Sequence, residues 1–207
     1  MVNRFLKTLW LVPLILGGFY VHTGAEDAPA APRPSGLIFE GAFESAAYHE
    51  IPENARRTQL VAAYRWDYGL RYYDEATWTA AGWDWPKFRE KAMVVADALA
   101  ERVKPELIRD PRGVIEYGLV VDPDPFLTSV LLSKKFREKF TDTLGDALHI
   151  VILDRNRIYL FPVTGGHLQD YGPSLVAEFR EAPLPVSLEV FLLDEKGLRV
   201  IGELSRE

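Results

Sequence analysis

Between Thr58 and Tyr72 the chain alternates. Leu60, Ala62, Tyr64, Trp66, Tyr68, Leu70 and Tyr72 fall on every second position, and Arg65, Asp67 and Arg71 lie between them. A period of two predicts a strand with one buried face, and the even-numbered residues are the expected buried set. A helical frame through Leu60, Ala63, Tyr64, Asp67 and Tyr68 puts a charge on the apolar side, which favours the strand. Gly69 marks a bulge or turn that divides the run into two strands.

The period then lengthens. Asp84 accepts from orphan amides at a helix start, and Pro86 falls in the first turn, where no N–H is needed. Phe88, Ala92, Val95, Leu99 and Val103 form a helical stripe, closed by Pro105. Gly113 to Val121 reads as a strand rich in β-branched residues. Asp122-Pro123-Asp124-Pro125 repeats the start signal and predicts one helix to about Thr143, stopped by Gly145. Leu148–Leu153 and Arg157–Val163 read as a hairpin around Asp154-Arg155-Asn156. Ser174–Arg180 reads as a short helix, closed by Pro183 and Pro185. Val186–Leu193 and Leu198–Glu203 form a last hairpin, with Gly197 supplying the positive φ. Hairpins mixed with helices predict an α+β fold: a largely antiparallel sheet with helices packed on one face, as a single domain over residues 37–207.

The start of the chain is of another kind. Arg4 and Lys7 precede an apolar run from Leu9 to Val21, and Thr23-Gly24-Ala25 follows, so residues 1–25 have the layout of a secretory signal peptide. A spanning helix needs about 20 apolar residues, whereas this run is short and interrupted by Pro13 and Gly17-Gly18. Removal is the expected outcome, and retention as an uncleaved anchor is the alternative. Residues 26–36 (EDAPAAPRPSG) are rich in Pro and Ala and read as an extended tether. The expected location is exported, periplasmic or secreted, with membrane contact only through a retained N-terminal segment.

Composition narrows the chemistry. The 207 residues include no cysteine, which excludes disulfides, thiolate nucleophiles and Cys-ligated metals, while the length suffices for a core without such staples. Net charge is −6, and losing Arg4 and Lys7 with the leader takes it to −8. Without a basic stripe, nucleic acid is not an expected partner. No serine sits in a G-x-S-x-G elbow, and no two of His22, His49, His149 and His167 are four apart, so no metal or other cofactor is expected. Proline after both Asp122 and Asp124 makes them caps, not calcium ligands.

Two sets of residues remain as candidate ligand contacts. His167, after Gly165-Gly166, lies on a loop open to close approach, although an ordinary surface loop explains it as well. The second set belongs to an aromatic band. Tyr64, Trp66, Tyr68 and Tyr72 fit a buried face, while Trp78, Trp83 and Trp85 lie near a turn, where exposed rings would stack on a sugar or a peptide. Two functions follow from these features. The first is a non-enzymatic envelope module that binds a protein or glycan. The second is a glycosidase-like hydrolase with Asp67 and Glu75 as its carboxylates beside Trp78–Trp85; such pairs stand about 5 to 9.5 Å apart.

From Trp78 to Leu204 the order of elements resembles a bacterial family of unknown function, the YtpQ-like proteins. The residues that carry it are the helix Phe88–Leu99, Tyr117-Gly118-Leu119-Val120-Val121, Asp124–Leu132 leading to Phe136 and Phe140, Gly145-Asp146, and the hairpin Ile150–Phe161. The family tends to place Pro-Asn-Arg-Asp in that hairpin, where this chain has Leu153-Asp154-Arg155-Asn156-Arg157. The resemblance implies a mixed helix–sheet domain, and it implies no catalytic residue, cofactor or substrate.

Overall fold

The computed structural model of the chain describes residues 33–43 and 46–205. The expected leader and the tether up to Pro32 lie outside them. In chain order the elements are β1 (Ser35–Gly41), β2 (His49–Glu50), β3 (Thr58–Trp66), β4 (Gly69–Tyr72), α1 (Glu75–Ala80), α2 (Trp85–Arg102), β5 (Glu106–Arg109) and β6 (Ile115–Val121). A 3-10 turn (Leu127–Leu132), α3 (Lys134–Leu144), β7 (Leu148–Asp154), β8 (Arg157–Pro162), α4 (Leu168–Glu181), β9 (Glu189–Asp194) and β10 (Gly197–Glu203) follow. They form two antiparallel sheets. In one, β3 pairs with β1 on one side and with β2 and β4 on the other; the second runs β10-β9-β7-β8-β6-β5. The fold is α+β, as the sequence predicts.

Local chemistry explains the elements that match. Asp84 accepts from the Lys87 amide at 2.8 Å and opens α2, with Pro86 in its first turn. Phe88, Ala92, Ala96, Leu99 and Ala100 form the buried face of that helix. Gly69, at φ 131°, makes the turn between β3 and β4, a conformation that residues with a Cβ resist.

Other expectations are corrected. The tether ends two residues early, because Ser35 and Gly36 are buried positions of β1, paired with Tyr64 and Ala63. In β3 the alternation holds only in the outer half. Thr58 to Ala63 are buried without alternation, since this is the central strand of its sheet, while Tyr68, expected inside, is 95% exposed at the turn. The helix expected from Asp122 to Thr143 is two elements. Ser133 has extended backbone (ψ 129°), its hydroxyl accepts from the Lys135 amide and donates to Asp97 at 2.5 Å, and α3 starts there. Thr128 in the 3-10 turn accepts the Phe39 amide at 2.9 Å and so covers the free edge of β1. The short helix at Ser174–Arg180 is the second half of α4, which begins at Leu168 and accommodates Pro173.

Helices cover both faces of the six-stranded sheet, not one. Ile150, Ile152, Ile158, Leu160 and Phe191 point into the main core with β1, β3, α2 and the 3-10 turn. Their neighbours Val151, Leu153, Tyr159, Phe161 and Val190 pack beneath α4 through Leu175. Strand alternation delivers one set to each face. Two buried carboxylates join the sheets. Glu40 on β1 pairs with Arg155, whose guanidinium also donates to the Tyr72 hydroxyl at 2.9 Å. Burial works against that guanidinium, yet its bond to Glu40 prevails and holds its pKa above the usual arginine value. Glu189, 2% exposed, accepts the amides of Arg56 and Arg57 at 2.6 and 3.0 Å.

Candidate functional site

The three candidate tryptophans come together, but as packing. Trp78 is 6% exposed, stacked on Tyr48 at 4.1 Å between centroids and edge-on to Tyr73 at 5.5 Å. Trp85 tilts over Trp78 and lies parallel to Phe88, and its indole N–H donates to Glu50. Trp83 donates to the Tyr73 hydroxyl at 3.3 Å and carries Lys87 and Lys91 within 5.5 Å of its ring. The rings spend faces and edges on one another, the arrangement of a core margin. A shallow concavity of about 290 Å³ remains beside Tyr48, His49, Trp78 and Trp85. His49 Nδ1 lies 2.6 Å from the Ala46 carbonyl, so this nitrogen carries a hydrogen and donates it.

The other candidates lie elsewhere. His167 is the N-cap residue of α4, without a side-chain capping bond, exposed and 3.5 Å from Asp170. Asp67 is at the β3–β4 turn, 3.8 Å from Arg33, and Glu75 opens α1; neither lines the concavity beside Trp78 and Trp85. His149 is half-buried in β7, and burial holds its imidazole below the usual histidine range. Asp122 and Asp124 do not cap a helix: they accept the amides two residues on, of Asp124 and Phe126, at 2.8 and 3.0 Å, and the 3-10 turn has Phe126 at its N-cap with no side-chain bond. Both also face Arg102, and Asp124 meets Arg65 at 3.3 Å.

A second concavity escapes the sequence reading altogether. It measures about 750 Å³, within the ~300–1,000 Å³ typical of small-molecule sites. Val186 and Leu188 contribute buried apolar positions, and Phe43, Phe179 and Leu204 complete the apolar lining. Arg56 and Arg57 bring charge of one sign and Glu203 of the other. Phe43 is 70% exposed. It rests against Gly41, where a Cβ would stand 1.9 Å from its ring. Both arginine amides are fixed by Glu189, and the Arg57 carbonyl accepts the Ala42 amide at 2.7 Å, so the backbone that carries the two side chains is tied on both sides. Five separate segments meet here, and only the adjacent Arg56-Arg57 in a stretch without periodicity signals them in the sequence.

No family model, no curated protein and no solved structure matches the chain.

Proposed function

We propose that this protein is an exported, envelope-associated binding domain without catalytic activity, and that it engages its ligand in the cleft of Arg56, Arg57, Phe43 and Phe179. The cleft itself carries the reading. At about 750 Å³ it has room for a small ligand, it joins two cationic side chains to an apolar wall, and a buried carboxylate holds its loop in place. Preorganised polar groups above an apolar surface are the make-up of a binding pocket. Export rests on the layout of residues 1–25. Among the described residues no helix is long and apolar enough to cross a membrane. The YtpQ-like resemblance stays part of this proposal, on the residues that carry it.

Cell fractionation followed by native mass spectrometry tests both halves. The expected result is protein in the envelope fraction, its N-terminus near residue 26 or its leader held in the bilayer, with a bound mass that the double variant Arg56→Gln, Arg57→Gln loses. Protein wholly in the cytosol with Met1 intact would overturn export. A bound mass retained by the double variant would overturn the site.

A further inference from the structure

We propose that the cleft takes a single-tailed amphiphilic carboxylate, its head at Arg56 and Arg57 and its tail along Phe43, Phe179 and Leu204. This rests on the reading of the cleft as the binding surface and names the ligand class.

Charge is the first argument. Eight of the described arginines (33, 65, 89, 102, 112, 155, 157 and 199) lie within 4 Å of a carboxylate. Arg56, Arg57, Arg71, Arg109, Arg137 and Arg180 have no such partner among the described residues, and of these Arg56 and Arg57 are the two that are adjacent, exposed and on one cleft. Both guanidiniums line one cleft, and an anionic head there accepts their N–H donors. Glu203 is the acidic residue of the lining, so it drives an anionic head towards the arginines and fixes the ligand's direction.

Surface is the second argument. Phe43 exposes most of its ring beside Phe179 and Leu204, and an apolar patch next to cations is what an amphiphile covers. Shape is the third. A cavity of about 750 Å³ suits a small ligand, whereas a protein partner of ordinary affinity covers ~800 Å² on each side. Ordering costs are also low, since Glu189 and Ala42 already hold the Arg56–Arg57 backbone.

Calorimetry on the full-length protein tests the proposal with four probes: dodecanoate and dodecylammonium below their micellar concentrations, dodecanol below its solubility limit, and acetate. Dodecanoate is expected to bind at micromolar concentration, dodecanol at least tenfold more weakly, and the other two not measurably. Arg56→Gln with Arg57→Gln weakens dodecanoate at least tenfold, and Phe179→Ala weakens it several-fold. Glu203→Gln strengthens it. All of these positions lie at the surface or in the cleft wall, and an unchanged circular dichroism spectrum certifies each fold. Dodecanol binding as tightly as dodecanoate, or the double arginine variant binding as the wild type does, overturns the proposal. So does the absence of dodecanoate binding. If dodecanoate fails while an envelope-derived mass still depends on the two arginines, the ligand class falls and the cleft stands. If that mass does not depend on them, the cleft falls too.

Discussion

The two faces of the six-stranded sheet are built by different chemistry. On the inner face Ile150, Ile152, Ile158, Leu160 and Phe191 meet Phe39, Leu127, Val130 and Phe136, all nearly or fully buried. On the outer face the sheet offers Tyr117, Tyr159 and Phe161, and α4 answers with Tyr171, Leu175 and Glu178. Rings there pair with polar tips: the Tyr159 hydroxyl donates to Glu178 at 2.5 Å, Arg157 bonds the same carboxylate, and the Tyr171 hydroxyl donates to Glu116 at 2.7 Å. Apolar burial is non-directional and grows with area, whereas these contacts depend on protonation and geometry. The inner face therefore holds the fold, and the outer face holds a helix that releases more readily.

The largest effect breaks the inner face. Phe191 is fully buried and edge-on to Phe39 at 5.9 Å, so Phe191→Ala leaves a ring-sized void and costs about 3–5 kcal/mol. That is a large part of the ~5–15 kcal/mol that a domain possesses. Leu175→Ala on α4 removes a side chain that is 2% exposed, yet its loss is limited by local release of the helix. Native-state hydrogen exchange separates the two variants. Phe191→Ala speeds exchange in both sheets, and Leu175→Ala speeds it in residues 168–181 alone. Equal acceleration in β7 and β8 by both variants would merge the two faces into one cooperative unit.

The hinge of the outer face comes next. Gly166 leads into α4, and a Cβ there would stand 1.9 Å from the Pro162 carbonyl oxygen, a backbone atom that cannot give way. Gly166→Ala therefore moves the start of α4, at a cost of about 1–3 kcal/mol by analogy with overpacked sites. Alanine at Gly172, whose only neighbour on that side is the end of Leu204 at 3.9 Å, is the tolerated control. Chemical denaturation of both variants measures the difference, and equal midpoints would remove the close approach as a constraint.

The same contrast explains what the sequence discloses. Elements set by neighbouring residues are readable: Asp84-Trp85-Pro86 starts α2, and the period-two runs on either side of Asp154-Arg155-Asn156 give β7 and β8. Elements set by distant partners are not. β1 follows a proline-rich stretch and exists because β3 pairs along its whole length. The Asp122–Pro125 run starts no α-helix: a 3-10 turn without a side-chain cap follows it, and the helix begins only at Ser133, which is bonded to Asp97 of α2, a residue outside the expected segment. The aromatic band was legible as a cluster. Which of its rings would be spent on one another was not, because Tyr48 lies thirty residues from Trp78. The Arg56–Arg57 cleft brings residues 42–43 to residues 203–205, and no local pattern records that meeting.

Alkali probes a single outer contact. The hydrogen bond to Glu116, foremost, and then burial raise the Tyr171 phenol to about 12 from its ordinary 10. A group raised in the folded state stabilises at pH below its unfolded value, and that contribution disappears as pH climbs from about 10 through 12. Tyr171→Phe is expected to cost about 1 kcal/mol at neutral pH, since the contact is partly exposed, and the two proteins converge only as the pH passes about 12. Phenolate absorbance during titration reads the same group, and a Tyr171 that ionises at its ordinary value would show the bond to be without weight.

The smallest effect lies at the other end of the pH scale, on the edge hairpin of β9 and β10. Asp194 meets Arg199 through two parallel bonds of 2.9 and 2.7 Å. Its carboxyl is lowered from 3.8 to about 2, first by the Arg199 hydrogen bond, against burial, with help from the Lys196 amide. A depressed carboxyl stabilises above its unfolded value, so the contribution is whole at neutral pH and fades as pH falls from about 4 through 2. The pair sits at the protein surface, where such bridges contribute little and salt screens them. Asp194→Asn should therefore leave the thermal midpoint at pH 2 unchanged and lower it slightly at pH 6, with the gap narrowing in molar salt. Alternation along β9 puts Asp194 on the side that carries α4, since Leu193 packs into the inner core. A gap at pH 6 as large as that of Gly166→Ala would mean that this hairpin's ion pair, and not the seating of α4, sets the strength of the outer face.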